Sequence, residues 1–198
     1  FTAGGTEANN LAIHGVMKQY PLGNVVISAV EHDSVLKAAA NYECRIVEVL
    51  ADGQIDLADL RKKIDSKTVL VSIMYANSEI GTVEPVREIA KIVSEKRTER
   101  DGKLPLYLHT DACQAGNYLD LHVARLGVDL MTINGGKIYG PKQSGALYVK
   151  ASVNLLPLIN GGGQERGLRS GTQNVANAVG LADALEFVQT DKNQECDR

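Results

Sequence analysis

The chain has 198 residues, 44% of them apolar, and its 21 basic and 24 acidic side chains leave a formal charge of −3. That length suits one ample domain with a real core, and the near-balanced, interspersed charge argues against a nucleic-acid or membrane-surface partner. No apolar stretch approaches the roughly 18–20 residues that a membrane span needs, and the opening residues do not read as a signal peptide. Cys44, Cys113 and Cys196 share no C-x-x-C spacing and leave an odd thiol, so we expect no disulfide framework and a reducing, cytoplasmic setting. Phe1 follows what reads as a finished strand, so a piece of something longer is expected.

In chain order, "TAGGTEANN" is a glycine turn that opens a helix read over 7–20. Gly4 and Gly5 permit close backbone approach, and Thr6 is a candidate cap for a helix start whose free N–H groups favour an anion. A capped helix is the plainer reading of these residues alone. The strand at 24–30 ends in Glu31-His32, after which a helix begins. A lone loop histidine is usually a surface or capping residue; His32 gains interest because it shares a sheet edge with Thr6.

Strands at 44–50 and 68–76 flank a helix over 56–64, with Asp56 as its N-cap. Asn77, Ser78, Glu79 and Gly81 follow the second strand, and either turn chemistry or ligand contacts account for them. The helix over 84–97 places Val86, Ile89, Ala90 and Val93 on one face, with Pro85 suited to its first turn. The charged run 94–103 mixes both signs and reads as a solvated helix end.

The strand at 105–112 sets His109 and Asp111 on one face. A carboxylate at a strand end is costly to desolvate unless a cation or donors meet it. Asp111 is therefore a helix cap, a counter-ion for a cationic heterocycle or, ranked last, a metal ligand with His109 and Cys113. Strands at 129–134 and 145–150 bracket "GGKIYGPKQS". The loop "NGGGQERGLRSGTQN" then offers Arg166, Arg169, Ser170, Gly171 and Thr172 as phosphate donors, or is a flexible loop held by ion pairs. A helix over 174–189 follows it.

Strands and helices in alternation, several strands continuously apolar, predict an α/β fold: an open, mostly parallel sheet with helices on both faces. Ligands then bind beyond the carboxyl ends of the strands. Lys137 is followed by Ile138, not by Ser or Thr, so no P-loop is present, and no G-x-G-x-x-G follows a strand. A lysine whose surroundings disfavour its charge becomes a nucleophilic amine of the Schiff-base kind. Pyridoxal phosphate requires such an amine, an acid at its ring nitrogen and an anion cradle. Lys137, Asp111 and the Gly5-Thr6 helix start supply one candidate for each.

The segments "GGTEANNLAI", "EHDSVL", "NSEIG", "HTDACQ", "GGKIYGPKQSGALYV" and "GGGQERGLRSGT" resemble, in the same order, those of cysteine desulfurases. These are class V aminotransferase-type members of the fold-type-I pyridoxal phosphate enzymes, and the likeness spans essentially the whole chain. The resemblance implies that residues 1–198 are the large cofactor-binding domain, without the small domain that carries the persulfide-forming cysteine. It implies that Lys137 holds the cofactor and moves protons at the substrate's α-carbon, that Asp111 faces the ring nitrogen and that His32 stacks on the ring. Gln114 and Asn77 would lie at the phenolic edge, and Gly5 and Thr6 at the phosphate. Thr172 would reach the phosphate of a neighbouring subunit, implying a homodimer.

The sequence departs from the family's Ser-Gly-His before the lysine, having Asn134-Gly135-Gly136 instead. Asn134 can replace the serine's hydrogen bond, whereas Gly136 has no side chain and only a backbone nest can compensate. No metal is implied. The implied reaction takes sulfur from L-cysteine for an acceptor protein, as in iron–sulfur cluster assembly. Selenocysteine lyase, another class V enzyme, and a non-catalytic dimerisation or docking module are the alternatives.

Overall fold

The computed structural model describes residues 1–100, 102 and 104–196. Six five-residue strands form one sheet: β1 (Asn24–Ser28), β2 (Glu43–Val47), β3 (Thr68–Ser72), β4 (Tyr107–Asp111), β5 (Leu130–Asn134) and β6 (Gly145–Val149). Their order is β2-β1-β3-β4-β5-β6. All neighbours are parallel except β5 and β6, which run antiparallel with Asn134 opposite Gly145. Thr2 adds a backbone bridge to Gly145. The chain therefore matches the expected α/β architecture, with an antiparallel strand at one side.

Successive side chains of a strand point to opposite faces, and both faces here are covered. Val25 and Ile27 pack with Ile13, Val16 and Met17 of α1 (Gly5–Gln19) and Val35 of α2 (Asp33–Ala39). Val26, Val71 and Leu108 pack with Leu60 of α3 (Leu57–Lys63), with Ile89, Ile92 and Val93 of α4 (Val86–Thr98), and with Leu126 of α5 (Val123–Leu126). The last helix, α6 (Val175–Cys196), seats Leu181 and Val188 against Ile138. Its Gln189 donates to the carbonyls of Gly116 and Leu119, pinning the segment after β4.

Local chemistry explains most boundaries. Asp56 caps α3 as expected, accepting from the N–H groups of Ala58 and Asp59. Pro85 stands at the N-cap of α4, one place before the first turn. α5, which the sequence pattern does not reveal, is four residues long and stops at Gly127, whose φ of 75° suits glycine. Thr6 does not cap α1. The helix begins two residues earlier, with Gly4 at the N-cap and no side-chain cap at all, and Thr6 lies exposed in the first turn.

From β1 the sheet grows one way to β2 and the other way to β3. This reversal puts a crevice at the carboxyl ends of β1 and β3.

Candidate functional site

The segment after β5 is a 3₁₀ turn, Gly135–Lys137. Asn134 Oδ1 accepts from the Gly136 N–H at 3.1 Å, and the Gly135 N–H donates to the Ser144 carbonyl at 2.9 Å. A Cβ on Gly135 would overlap Ser144 Oγ, so this close approach needs glycine. Ile138 is buried, and the buried Asn117 donates from Nδ2 to the Lys137 carbonyl at 2.9 Å. The backbone around Lys137 is thus held on both sides while its side chain stays exposed along a cleft. The apolar enclosure expected of this lysine is not there: the apolar neighbours anchor its backbone. A phosphate nest in this turn is also excluded for Gly135 and Gly136, whose N–H groups both have internal acceptors.

Across the cleft, Asp111 ends β4 and is buried. Its Oδ2 accepts from Asn9 Nδ2 at 2.6 Å and its Oδ1 from the Cys113 N–H at 2.9 Å. Asn9 comes from the buried face of α1 and also donates to Ser34 Oγ at 2.9 Å. Ser34 meets His32 Nδ1 through its hydroxyl at 2.8 Å and its N–H at 3.1 Å. His32 is therefore both a helix cap, at the start of α2, and a wall of the cleft.

Other candidates sit differently. His109 is fully buried, with Nδ1 on Ser72 Oγ at 2.8 Å and Nε2 on Thr132 Oγ1 at 3.0 Å. Loss of solvent lowers its pKa to about 4. No group of three His, Cys, Asp or Glu side chains among the described residues is arranged to hold a metal ion. Asn77 does not line the cleft. Its amide donates to the Val30 carbonyl and accepts from the N–H groups of Glu79 and Ile80, shaping the turn that brings Ser78 and Glu79 to the cleft wall. Gln114 lines the cleft. Glu31, buried, accepts from the Met74 N–H at 2.7 Å and ties the end of β1 to the segment after β3. Burial pushes its carboxyl well above the usual range.

The cleft has a volume of about 360 Å³ and continues past Gly5, Thr6, Asn134 and Lys137 into an open recess of about 710 Å³. The first turn of α1 forms its rim. Without a capping side chain, the N–H groups of Gly5, Thr6 and Glu7 are left to an external acceptor. A Cβ on Gly5 would lie 2.5 Å from Cys113 Sγ and 3.5 Å from Asn134 Nδ2, so glycine here lets the helix start approach both. Glu7, whose charge would repel an anion, is paired with Arg169 at 2.8 Å. Thr172 lies outside the cleft, exposed in a separate recess with Gln143, Gly145 and Arg169.

The cleft brings together a primary amine, a buried carboxylate met only by neutral donors, a histidine and a bare helix start, groups that could hold a planar cationic ring with an anionic tail. The family model of the class-V aminotransferases matches residues 1–197. The chain belongs to the class-V aminotransferase family. It is 40% identical over 205 residues to cysteine desulfurase IscS of Dictyoglomus turgidum, an alignment covering 100% of this chain and 50% of that protein. Among solved structures, a NifS-like protein superimposes with a TM-score of 0.90 at 36% identity, over 98% of this chain and 53% of its own. SspA in complex with cysteine gives 0.84 at 36% identity, over 93% and 54%. This class-V chain thus spans about half the length of the relatives it matches.

Sequence reasoning does not single out Asn9, Ser34 or Asn117. The one available signal is for Asn9, a polar residue among Ala8, Leu11 and Ala12 on the buried face of α1.

Proposed function

We propose that this chain is the cofactor-binding domain of a pyridoxal phosphate-dependent cysteine desulfurase. The observation that carries the reading is the convergence of Lys137, Asp111, His32 and the uncapped start of α1 on one cleft. Lys137 would hold the cofactor covalently, Asp111 would meet its ring nitrogen, His32 and Gln114 would border the ring, and the N–H groups of Gly5 and Thr6 with Asn134 Nδ2 would take its phosphate. Bound there, pyridoxal phosphate supplies an electron sink for bonds breaking at the substrate's α-carbon. The Lys137 amine moves the proton at that carbon. The bare helix start supplies the N–H donors that Gly136 cannot.

The substrate in this reading is L-cysteine, as in the cysteine complex of SspA. Its sulfur passes to a protein thiol, giving a persulfide and leaving alanine, and a sulfur-acceptor protein then takes the sulfur. Burial pushes the thiols of both Cys113 and Cys44 up, which disfavours the thiolate each would need. Neither Cys113 nor Cys44 is therefore assigned as the receiving thiol, which in this reading belongs to the small domain that the family resemblance implies. We further propose a homodimer. Thr172 stands exposed in a recess that its own chain's Lys137 does not line, and α6 exposes Val175, Val179 and Phe187.

The test is reduction with borohydride after addition of pyridoxal phosphate, followed by peptide mapping. A pyridoxyl group confined to Lys137, and lost in Lys137→Ala, is the expected result. Label scattered over surface lysines and unchanged in the variant would overturn the reading.

A further inference from the structure

Two groups of the cleft, His32 at the start of α2 and Asp111 at the end of β4, share no direct contact in the hydrogen-bond pattern. They are joined by a residue pair to which the mechanism above gives no task. Asn9 is 1% exposed, and its two amide hydrogens go to Asp111 Oδ2 at 2.6 Å and to Ser34 Oγ at 2.9 Å. Its own Oδ1 is buried without a partner. A buried acceptor left unpaired is a penalty that an apolar side chain at this helix position would avoid. The arrangement makes sense if the amide is there for its donors.

The direction of each bond follows. A carboxylate only accepts, so Asn9 must turn its NH₂ group toward Asp111, which settles the amide orientation. Ser34 Oγ, already accepting from Asn9, has its hydrogen left for His32 Nδ1. The Ser34 N–H also points at Nδ1, so that nitrogen carries no proton. A neutral His32 ring therefore bears its hydrogen on Nε2.

We infer that Asn9 and Ser34 are positioning residues, one hydrogen-bonded unit that holds the Asp111 carboxylate in place and fixes His32 as its Nε2–H tautomer at the cleft wall. The tautomer matters because it decides whether His32 offers its free nitrogen as a donor or an acceptor to a bound molecule. This inference deepens the desulfurase reading and rests on it for its catalytic meaning, although the tautomer itself does not.

The test uses the full-length protein with ¹⁵N-labelled histidine, His32 being assigned by the signals lost in His32→Gln. Without added cofactor, at a pH where the ring is neutral, His32 should show an unprotonated Nδ1 and a protonated Nε2. Ser34→Ala, which removes the hydroxyl and leaves only the backbone N–H on Nδ1, should shift the Nδ1 signal while Nε2 keeps the proton, and Ser34→Thr, which keeps the hydroxyl, should restore the wild-type pattern. Asn9→Leu should weaken pyridoxal phosphate retention about ten- to a hundredfold, the scale for losing a hydrogen bond to a charged group. It should also disturb the His32 signals.

A wild-type His32 protonated on Nδ1, or a pattern indifferent to Ser34→Ala, overturns the inference and leaves the cofactor reading standing. Failure of wild-type protein to take the cofactor on Lys137 sinks that reading instead, and the tautomer result still stands. If Asn9→Leu does not fold, the Ser34 variants decide alone.

Discussion

Two buried aspartates stand at opposite ends of β4, and the chain treats them differently. Asp129, beside Leu108 at the start of the strand, is 3% exposed. It accepts from the Leu108 N–H at 2.9 Å, pairs with Arg97 and lies 3.3 Å from Lys150 Nζ. Asp111, at the other end, is 6% exposed and meets only the neutral donors of Asn9 and Cys113. No ion pair reaches it among the described residues. A desolvated carboxylate whose cations come from its own chain is part of the fold. One held by neutral donors at the wall of a cleft has its orientation fixed and its charge left for a cationic guest. The same residue type thus braces one end of the sheet and equips the other for chemistry.

The contrast can be broken by substitution. Asp111→Asn should cost the full-length enzyme at least about a hundredfold in turnover, the scale of losing one preorganised electrostatic group. Its unfolding free energy should move by no more than about 1 kcal/mol. Asn9 can rotate its unpaired Oδ1 toward the new amide, which keeps the pair bonded. Turnover and urea unfolding measured on the same preparation decide it, and a large stability loss with activity intact would reverse the roles assigned here.

Asp129→Ala should do the opposite. It leaves the Leu108 N–H buried without an acceptor and removes the partner of Arg97, and should cost about 2–4 kcal/mol, tempered because Arg97 is partly exposed. Lys137 should still take the cofactor in the fraction that remains folded.

On β4 between Leu108 and Asp111, His109 gives an effect with a sign to check. Its folded pKa of about 4 lies below the ordinary 6.5, so the native state resists a proton that the unfolded chain accepts. Its contribution is complete above 6.5 and is lost as pH falls toward 4, at about 1.4 kcal/mol per pH unit. Glu31 runs the other way. Its raised pKa gives a contribution that is present below the usual carboxylate range and is lost as pH rises above it. Wild-type stability therefore changes less with acid than His109 alone dictates. Subtracting the urea unfolding profile of His109→Gln from that of the wild type isolates the histidine, and a flat difference between pH 4.5 and 6.5 would show that it is not held neutral.

Periodicity and composition by themselves determined the elements that place this site. Several strands were legible because a strand covered on both faces carries an apolar run, as the Val-Val-Ile of "NVVIS" and the Val-Leu-Val of "TVLVS" do, and the others from β-branched runs between helix-period segments. Lys137, Asp111, His32 and the Gly5 helix start drew attention in the sequence because each follows a strand end or opens a helix, whereas Gln114 came from the family resemblance alone.

Tertiary structure decided the rest. Thr6 reads as a cap, yet Gly4 takes that place with a φ of 147°, and Gly5 after it packs too closely on Cys113 for a larger residue. Asn77 reads as either a turn former or a ligand contact, and in the fold it shapes its turn while a carbonyl 47 residues away engages its amide. Asn9 and Asp111 stand 102 residues apart and touch only because α1 packs on the face where β4 ends. A hydrogen bond is directional and short, so a buried polar side chain acquires its role from whatever lies within about 3 Å of it, and no local pattern in a sequence carries that distance.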